Sequence, residues 1–292
     1  MLFRSSGNDN ISVGGLYNHV RAGDGNNVIT SAAAYADIVA GSGYDQVYAY
    51  GGYNTINVGD GGSYIRGYTL GGNTITAGAG YDDVSVVGLY NNINVGSGGS
   101  KIEALGGYNT ITATSGNDNV NVAGGYNNVN VGTGSNTVYA IGGGNTINAL
   151  GTSASDNNTI TALGGYNKVT TGAGSDNVTL GGVWNEVYAG DGNNTITGGG
   201  GYTKIRAGAG YDTINVGGVA NDIDVGSGGS NILAIGGGNV IKASGAGDDY
   251  IKVGGLVANI VDAGDGNNTV IGIGVGANKV TTGSGKIGRA HV

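Results

Sequence analysis

The chain of 292 residues contains no cysteine and no proline, and beside its 18 tyrosines it has one Phe and one Trp. Without cysteine there is neither a disulfide framework nor a thiolate metal site; the lack is compatible with secretion but does not locate the chain. Only 12 Lys and Arg stand against 20 Asp and Glu, giving a net charge of −8. A nucleic-acid binder needs clustered cations, so no nucleic-acid partner is expected. No run of about 18 apolar residues occurs, so no membrane span is predicted. An apolar period of about 3.6 residues is missing too, and no helix is predicted anywhere.

What the chain has instead is glycine, 66 residues of it. Without a Gly-X-Y triplet this is not collagen, and only a longer period separates such a composition from disorder. That period is present. Gly78 to Val95 reads Gly-Ala-Gly-Tyr-Asp-Asp-Val-Ser-Val, then Val-Gly-Leu-Tyr-Asn-Asn-Ile-Asn-Val. Each half is a glycine turn followed by a short run that alternates with period two, the mark of a strand with one buried face. The central inward residue recurs from Ile11, Val20 and Ile29 through to Val261, Val270 and Val280, always β-branched, as a strand core prefers. Ala or Val mostly follows two residues later and forms a thinner second row.

Two nonapeptide strands per 18-residue lap predict an all-β fold, a parallel β-solenoid (β-roll) of about fifteen laps with two facing sheets. The expected boundaries are one repeat domain over residues 6–285. Residues 1–5 and 287–292 lack repeat character and resemble translated sequencing adapters, so they are set aside as scars of a fragment from a longer protein. An insertion between Leu150 and Asp156, and extra residues near Tyr68, Ser244, Ala258 and Ala277, read as local bulges in turns.

The position two before the central Ile or Val distinguishes two edges. One edge carries Asp9, Asp45, Asp82, Asp118, Asp176, Asp212 and Asp249, alternating with Asn or Ser such as Asn27, Ser63 and Ser100. The alternation slips once, where Asn136 and Asn158 follow one another. The other edge is nearly all Asn, among them Asn54, Asn73, Asn91, Asn109 and Asn127. Stacked amides can bond to one another and to turn backbone, so this edge reads as a structural ladder.

The Asp turns, for example Gly41-Ser42-Gly43-Tyr44-Asp45, Gly78-Ala79-Gly80-Tyr81-Asp82 and Gly208-Ala209-Gly210-Tyr211-Asp212, resemble the Gly-Gly-x-Gly-x-Asp-x-U-x nonapeptide of the RTX (hemolysin-type) calcium-binding β-roll. The resemblance covers nearly the whole chain. It implies Ca²⁺ between successive turns, held by carboxylates of Asp9, Asp45, Asp82, Asp118, Asp176, Asp212 and Asp249 and by turn carbonyls. Two departures imply fewer and weaker sites than a full array. The first Gly is replaced by Ala40, Ala77, Thr171 and Ala207, and only alternate laps offer Asp at the motif position. Asp24, Asp60, Asp191 and Asp265 in intervening turns compensate in part. Solvated carboxylates with local hydrogen bonds are the alternative.

Aromatics precede the Asn ladder on consecutive laps: Tyr17, Tyr35 and Tyr53; Tyr90, Tyr108 and Tyr126; Tyr166, Trp184 and Tyr202. Stacked rings would stabilise the array, or alternatively offer a platform to sugar rings. No catalytic constellation accompanies His19, and Asp82 and Asp83 fall on opposite strand faces, so no enzyme activity is expected. Outward Thr pairs at Thr74/Thr76, Thr110/Thr112, Thr159/Thr161 and Thr195/Thr197 are separated by laps bearing Lys, Arg, Glu or Tyr, and an ice-binding face is not expected. The resemblance implies a structural, calcium-binding segment of a secreted or cell-surface bacterial adhesin or exoprotein. The alternative is a polysaccharide-binding module using the Tyr ladders or a sheet face.

Overall fold

The computed structural model describes residues 7–285 and 287–291; the N-terminal scar expected at residues 1–5 lies outside them. All described regular structure is β-strand, and the chain is a parallel β-solenoid repeat protein of about fifteen laps with two strands per lap. It divides into two compact units, residues 1–146 and 147–292. Within each unit, strands that follow the Asp-bearing turns form one sheet, and strands that follow the Asn-bearing turns form the other.

Register follows from the apolar rows. In the first unit Ile65 pairs Val84, Val84 pairs Ile102 and Ile102 pairs Val120 on the Asp-turn sheet. On its Asn-turn sheet Ile75 pairs Ile93, and Ile93 pairs Ile111. The second unit repeats the rule with Val178, Ile196, Ile214 and Ile232. A slip of one residue would turn every Ile outward, so the period of two fixes the register. All the central residues are buried except Val280, which is 38% exposed. The second row, including Ala104, Ala113, Val122 and Ala140, is buried as well.

The extra residues are absorbed outside the strands. Asn54 and Asn73 are 19 residues apart and Asn239 and Asn259 are 20 apart, yet each pair still meets across adjacent laps as the 18-residue pairs do. In the long insertion Asp156 turns inward and accepts the backbone N–H groups of Thr152 and Ser153, both at 3.1 Å. Ile287–His291, set aside in the sequence, pairs with Asn268–Ile273 through a register shift.

Because the core is only one Ile and one Ala or Val deep per strand, each Ile carries a large share of local stability. Ile111→Ala is expected to destabilise by about 2–5 kcal/mol, whereas outward Thr110→Ala should stay within about 0.5 kcal/mol. Urea denaturation of the two variants compares them directly; equal effects would contradict the assigned faces.

Candidate functional site

On both edges the residue two before the central Ile or Val points into the solenoid. Asp45 and Asp212 are 0% exposed and Asp82, Asp118, Asp176 and Asp249 at most 3%; Asp9 is half-buried. The solvated alternative therefore does not describe the six buried carboxylates. Their burial has a structural use, since the turn leaves backbone N–H groups without a strand partner. The Asn27 N–H donates to Asp45 Oδ1 at 3.0 Å, Ser100 N–H to Asp118 Oδ1 at 2.8 Å, and Asp118 N–H to Asn136 Oδ1 at 3.0 Å. In the second unit Asn158, Asp176 and Asn194 continue the same rule toward Asp176, Asn194 and Asp212.

The Asn edge does this in most laps, with Ala36 and Thr203 as interruptions. Asn91 N–H donates to Asn109 Oδ1 at 2.9 Å, and Asn109 N–H to Asn127 Oδ1 at 3.0 Å. Each amide also reaches back to its own turn, Asn109 Nδ2 donating to Gly106 O at 2.8 Å and to Asn127 Oδ1 at 3.0 Å. The asparagine ladder expected from sequence is present, with both kinds of bond.

The ladder residue one lap before each Asp divides the carboxylates into two groups. Where Asn precedes, its amide fills the turn. Asn27 Nδ2 donates to Gly23 O, Gly25 O and Asp45 Oδ1 at 3.1, 3.0 and 2.9 Å. Asn194 repeats this toward Gly190 O, Gly192 O and Asp212 Oδ1, and Asn158 donates to Asp176 Oδ1. Where Ser precedes, the hydroxyl is too short to do so. Both oxygens of Asp82 and Asp249 lack a hydrogen-bond partner among the described residues, and so do Ser63 Oγ and Ser230 Oγ beside them. The Ser63 and Ser230 amides lie close enough to favour the ionised carboxylates, but short of hydrogen-bond geometry. Burial wins, and it pushes both groups up from 3.8 to about 7. Asp60 and Asp248 add like-charge repulsion. Asp45, Asp118, Asp176 and Asp212 are also raised by burial, against the hydrogen bonds that they accept.

A third ladder lies on the outside of the Asp turns, and sequence reasoning missed it. Asp24 Oδ1 accepts Ser42 N–H at 2.8 Å, Asn26 Oδ1 accepts Tyr44 N–H at 2.8 Å, and Asp191 Oδ1 accepts Ala209 N–H at 2.8 Å. Here the side chain of one lap takes the N–H of the following lap, the reverse of the interior ladders. Those contacts hold Asp24 and Asp265 below the ordinary carboxylate range. The recurrent Asn immediately before the buried position, and the Asp three residues before it, were the available signals.

The aromatic stacks are present, with ring centroids 5.2 and 5.3 Å apart for Tyr17–Tyr35–Tyr53, and 5.1 and 5.3 Å for Tyr90–Tyr108–Tyr126. Trp184 and Tyr202 approach to 4.2 Å. Their backbones were not foreseen: all nine residues have φ between 53° and 62°. This left-handed conformation costs roughly 1–2 kcal/mol for a residue with a Cβ, and ring stacking offsets part of it. Gly144, with φ 73° one lap after Tyr126, marks the same turn position.

Two measurements test this site. Asn109→Leu should destabilise by about 1–3 kcal/mol through unpaired turn N–H and C=O groups; a negligible loss would mean that the ladder does not hold the turns. In chelator, the folded protein retains protons on Asp82 and Asp249 more tightly than the unfolded chain, from 3.8 up to about 7. Stability is therefore full below the unfolded value and is lost as pH rises through the folded value. The melting temperature should fall between about pH 4 and pH 7, and Asp82→Asn with Asp249→Asn should flatten that fall. A flat wild-type profile would contradict the burial of these groups. In comparisons with known proteins, no family model, no curated relative and no solved structure matches the chain.

Proposed function

We propose that the chain is a structural, calcium-binding repeat segment of a secreted or cell-surface bacterial protein of RTX type, an adhesin or exoprotein. The observation that carries this reading is the pair of interior positions where a buried carboxylate and a serine hydroxyl without hydrogen-bond partners stand side by side on adjacent laps, Ser63 with Asp82 and Ser230 with Asp249. Unpaired hard oxygens of net negative charge suit Ca²⁺, and glycine turns can adapt to its irregular coordination. The donor set is sparse, since no cluster of three His, Cys, Asp or Glu occurs among the described residues.

The seven aspartates are not equivalent in this reading. At Asp45, Asp176 and Asp212 an asparagine amide already donates to the carboxylate. Calcium is therefore assigned first to Asp82 and Asp249, then to Asp118, whose preceding residue is Ser100 and whose Oδ2 lacks a partner. The polysaccharide alternative draws less support from the aromatic stacks, because adjacent rings cover one another's faces.

Millimolar Ca²⁺ should raise the melting temperature over that in chelator, with about 2.7 kcal/mol of stabilisation when calcium is a hundredfold above its dissociation constant. Replacing Asp82, Asp118 and Asp249 by Asn should abolish the rise, while replacing Asp45, Asp176 and Asp212 should leave most of it. Identical melting curves of the wild-type protein with and without Ca²⁺ would refute the proposal.

A further inference from the structure

The fold sorts the outward Thr and Asn residues in a way that their order along the chain conceals. In the first unit, strands Thr74–Ala77, Asn92–Ser97 and Thr110–Ser115 are neighbours in the Asn-turn sheet. Thr74 and Thr76 lie opposite Asn92 and Asn94, and these lie opposite Thr110 and Thr112, with no register shift. The flanking strands Thr55–Asn57 and Asn128–Thr133 continue the two files with further Thr and Asn. None of these outward residues is charged or aromatic, and none is buried. The charges of the same laps, Arg66, Asp83, Lys101 and Glu103, stand on the other sheet.

The second unit repeats the division. Thr159/Thr161, Asn177/Thr179 and Thr195/Thr197 stack in register on its Asp-turn sheet. Lys168, Glu186, Lys204 and Arg206 occupy the Asn-turn sheet. The interruptions that argue against a regular Thr array in the sequence are thus largely on the opposite sheet.

We infer that these two Thr/Asn faces bind the surface of ice. Neighbouring laps are about 4.8 Å apart, and successive outward residues along a strand about 6.7 Å apart. Tetrahedral water with hydrogen bonds of about 2.75 Å has second-neighbour oxygens about 4.5 Å apart and repeats along its stacking axis at about 7.3 Å. The two grids agree to within about a tenth in both directions. Thr hydroxyls and Asn amides both donate and accept, so each file can join a water lattice. Branched Thr side chains are stiff at χ1, which limits the entropy lost on contact. Charged groups would instead hold their own hydration, and these faces have none. No ring lies within the files, so stacking with a sugar is not served there.

Ice-recrystallisation inhibition by the full chain tests the inference. The variant carries Thr74→Lys, Thr110→Lys, Thr161→Lys and Thr195→Lys; the control carries Glu103→Lys and Lys204→Glu on the opposite faces. Lys101 and Lys168 already occupy equivalent outward positions, so lysine is compatible with these strands. Circular dichroism checks folding, and a Thr110→Lys/Thr195→Lys double variant stands in if the fourfold variant does not fold. The expected result is inhibition by wild type and control, lost in the array variant. Absence of inhibition by the folded wild type, or equal inhibition by the array variant, would overturn the inference. So would loss in the control, or array-dependent retention on microcrystalline cellulose without any effect on ice.

Discussion

A backbone N–H of one lap donating to a buried side-chain oxygen of the next is the interaction on which the rest of the structure depends. The apolar core is one Ile and one Ala or Val deep per strand, too thin to impose the shape of the turns. Each turn buries donors that have no strand partner, and leaving such a group unmet costs about 1–3 kcal/mol. Asn109, Asn127 and Asn145 meet them on one edge; Asp45, Asp118, Asn136 and Asp176 meet them on the other. The exterior ladder of Asp24, Asn26 and Asp191 runs in the opposite sense, so each Asp turn is tied to its neighbours in both directions. Glycine is required where laps approach most closely: a Cβ on Gly43, φ 131°, would sit 2.4 Å from the carbonyl oxygen of Gly25.

The same constraint explains why Asp alternates with neutral residues. Carboxylates in consecutive laps would lie about 4.8 Å apart inside the protein, where like charges repel strongly. Inserting Asn or Ser doubles that separation. Asn does more, because its amide supplies the hydrogens that a carboxylate lacks, as Asn27 does for Asp45. Ser supplies too little, and Asp82 and Asp249 are left with raised proton affinity and unmet oxygens. An Asn amide and a proton are two answers to one electrostatic problem, a divalent cation would be a third under the proposed function, and the residue one lap before each Asp chooses among them.

Much of this was legible in the sequence because β-solenoid periodicity is a local signal repeated many times. Ile93, Ile111 and Val129 announce their register by spacing alone, and Asn91 and Asn109 announce a ladder by chemistry and recurrence. The turns were harder to read. That Tyr108 adopts φ 59° depends on the turn backbone and on Tyr90 and Tyr126 beside it, and tyrosine has no intrinsic preference that reveals it. Burial of the Asp carboxylates was hidden for a related reason: a Gly-rich turn reads as exposed, whereas the period of two places Asp82 on the same inward face as Val84. The Thr faces were obscured because consecutive nonapeptides belong to different sheets, so neighbours in sequence are not neighbours on a surface.

The most direct test of this account exchanges one of the three answers for another. Ser63→Asn and Ser230→Asn would place an asparagine before Asp82 and Asp249, as Asn27 precedes Asp45. Thermal melts in chelator and in millimolar Ca²⁺, on the double variant and the wild type, give the result. The account predicts a double variant that is more stable than wild type in chelator, with a calcium response cut back to the share of Asp118. A double variant that melts lower than wild type in chelator, with an undiminished calcium response, would contradict it.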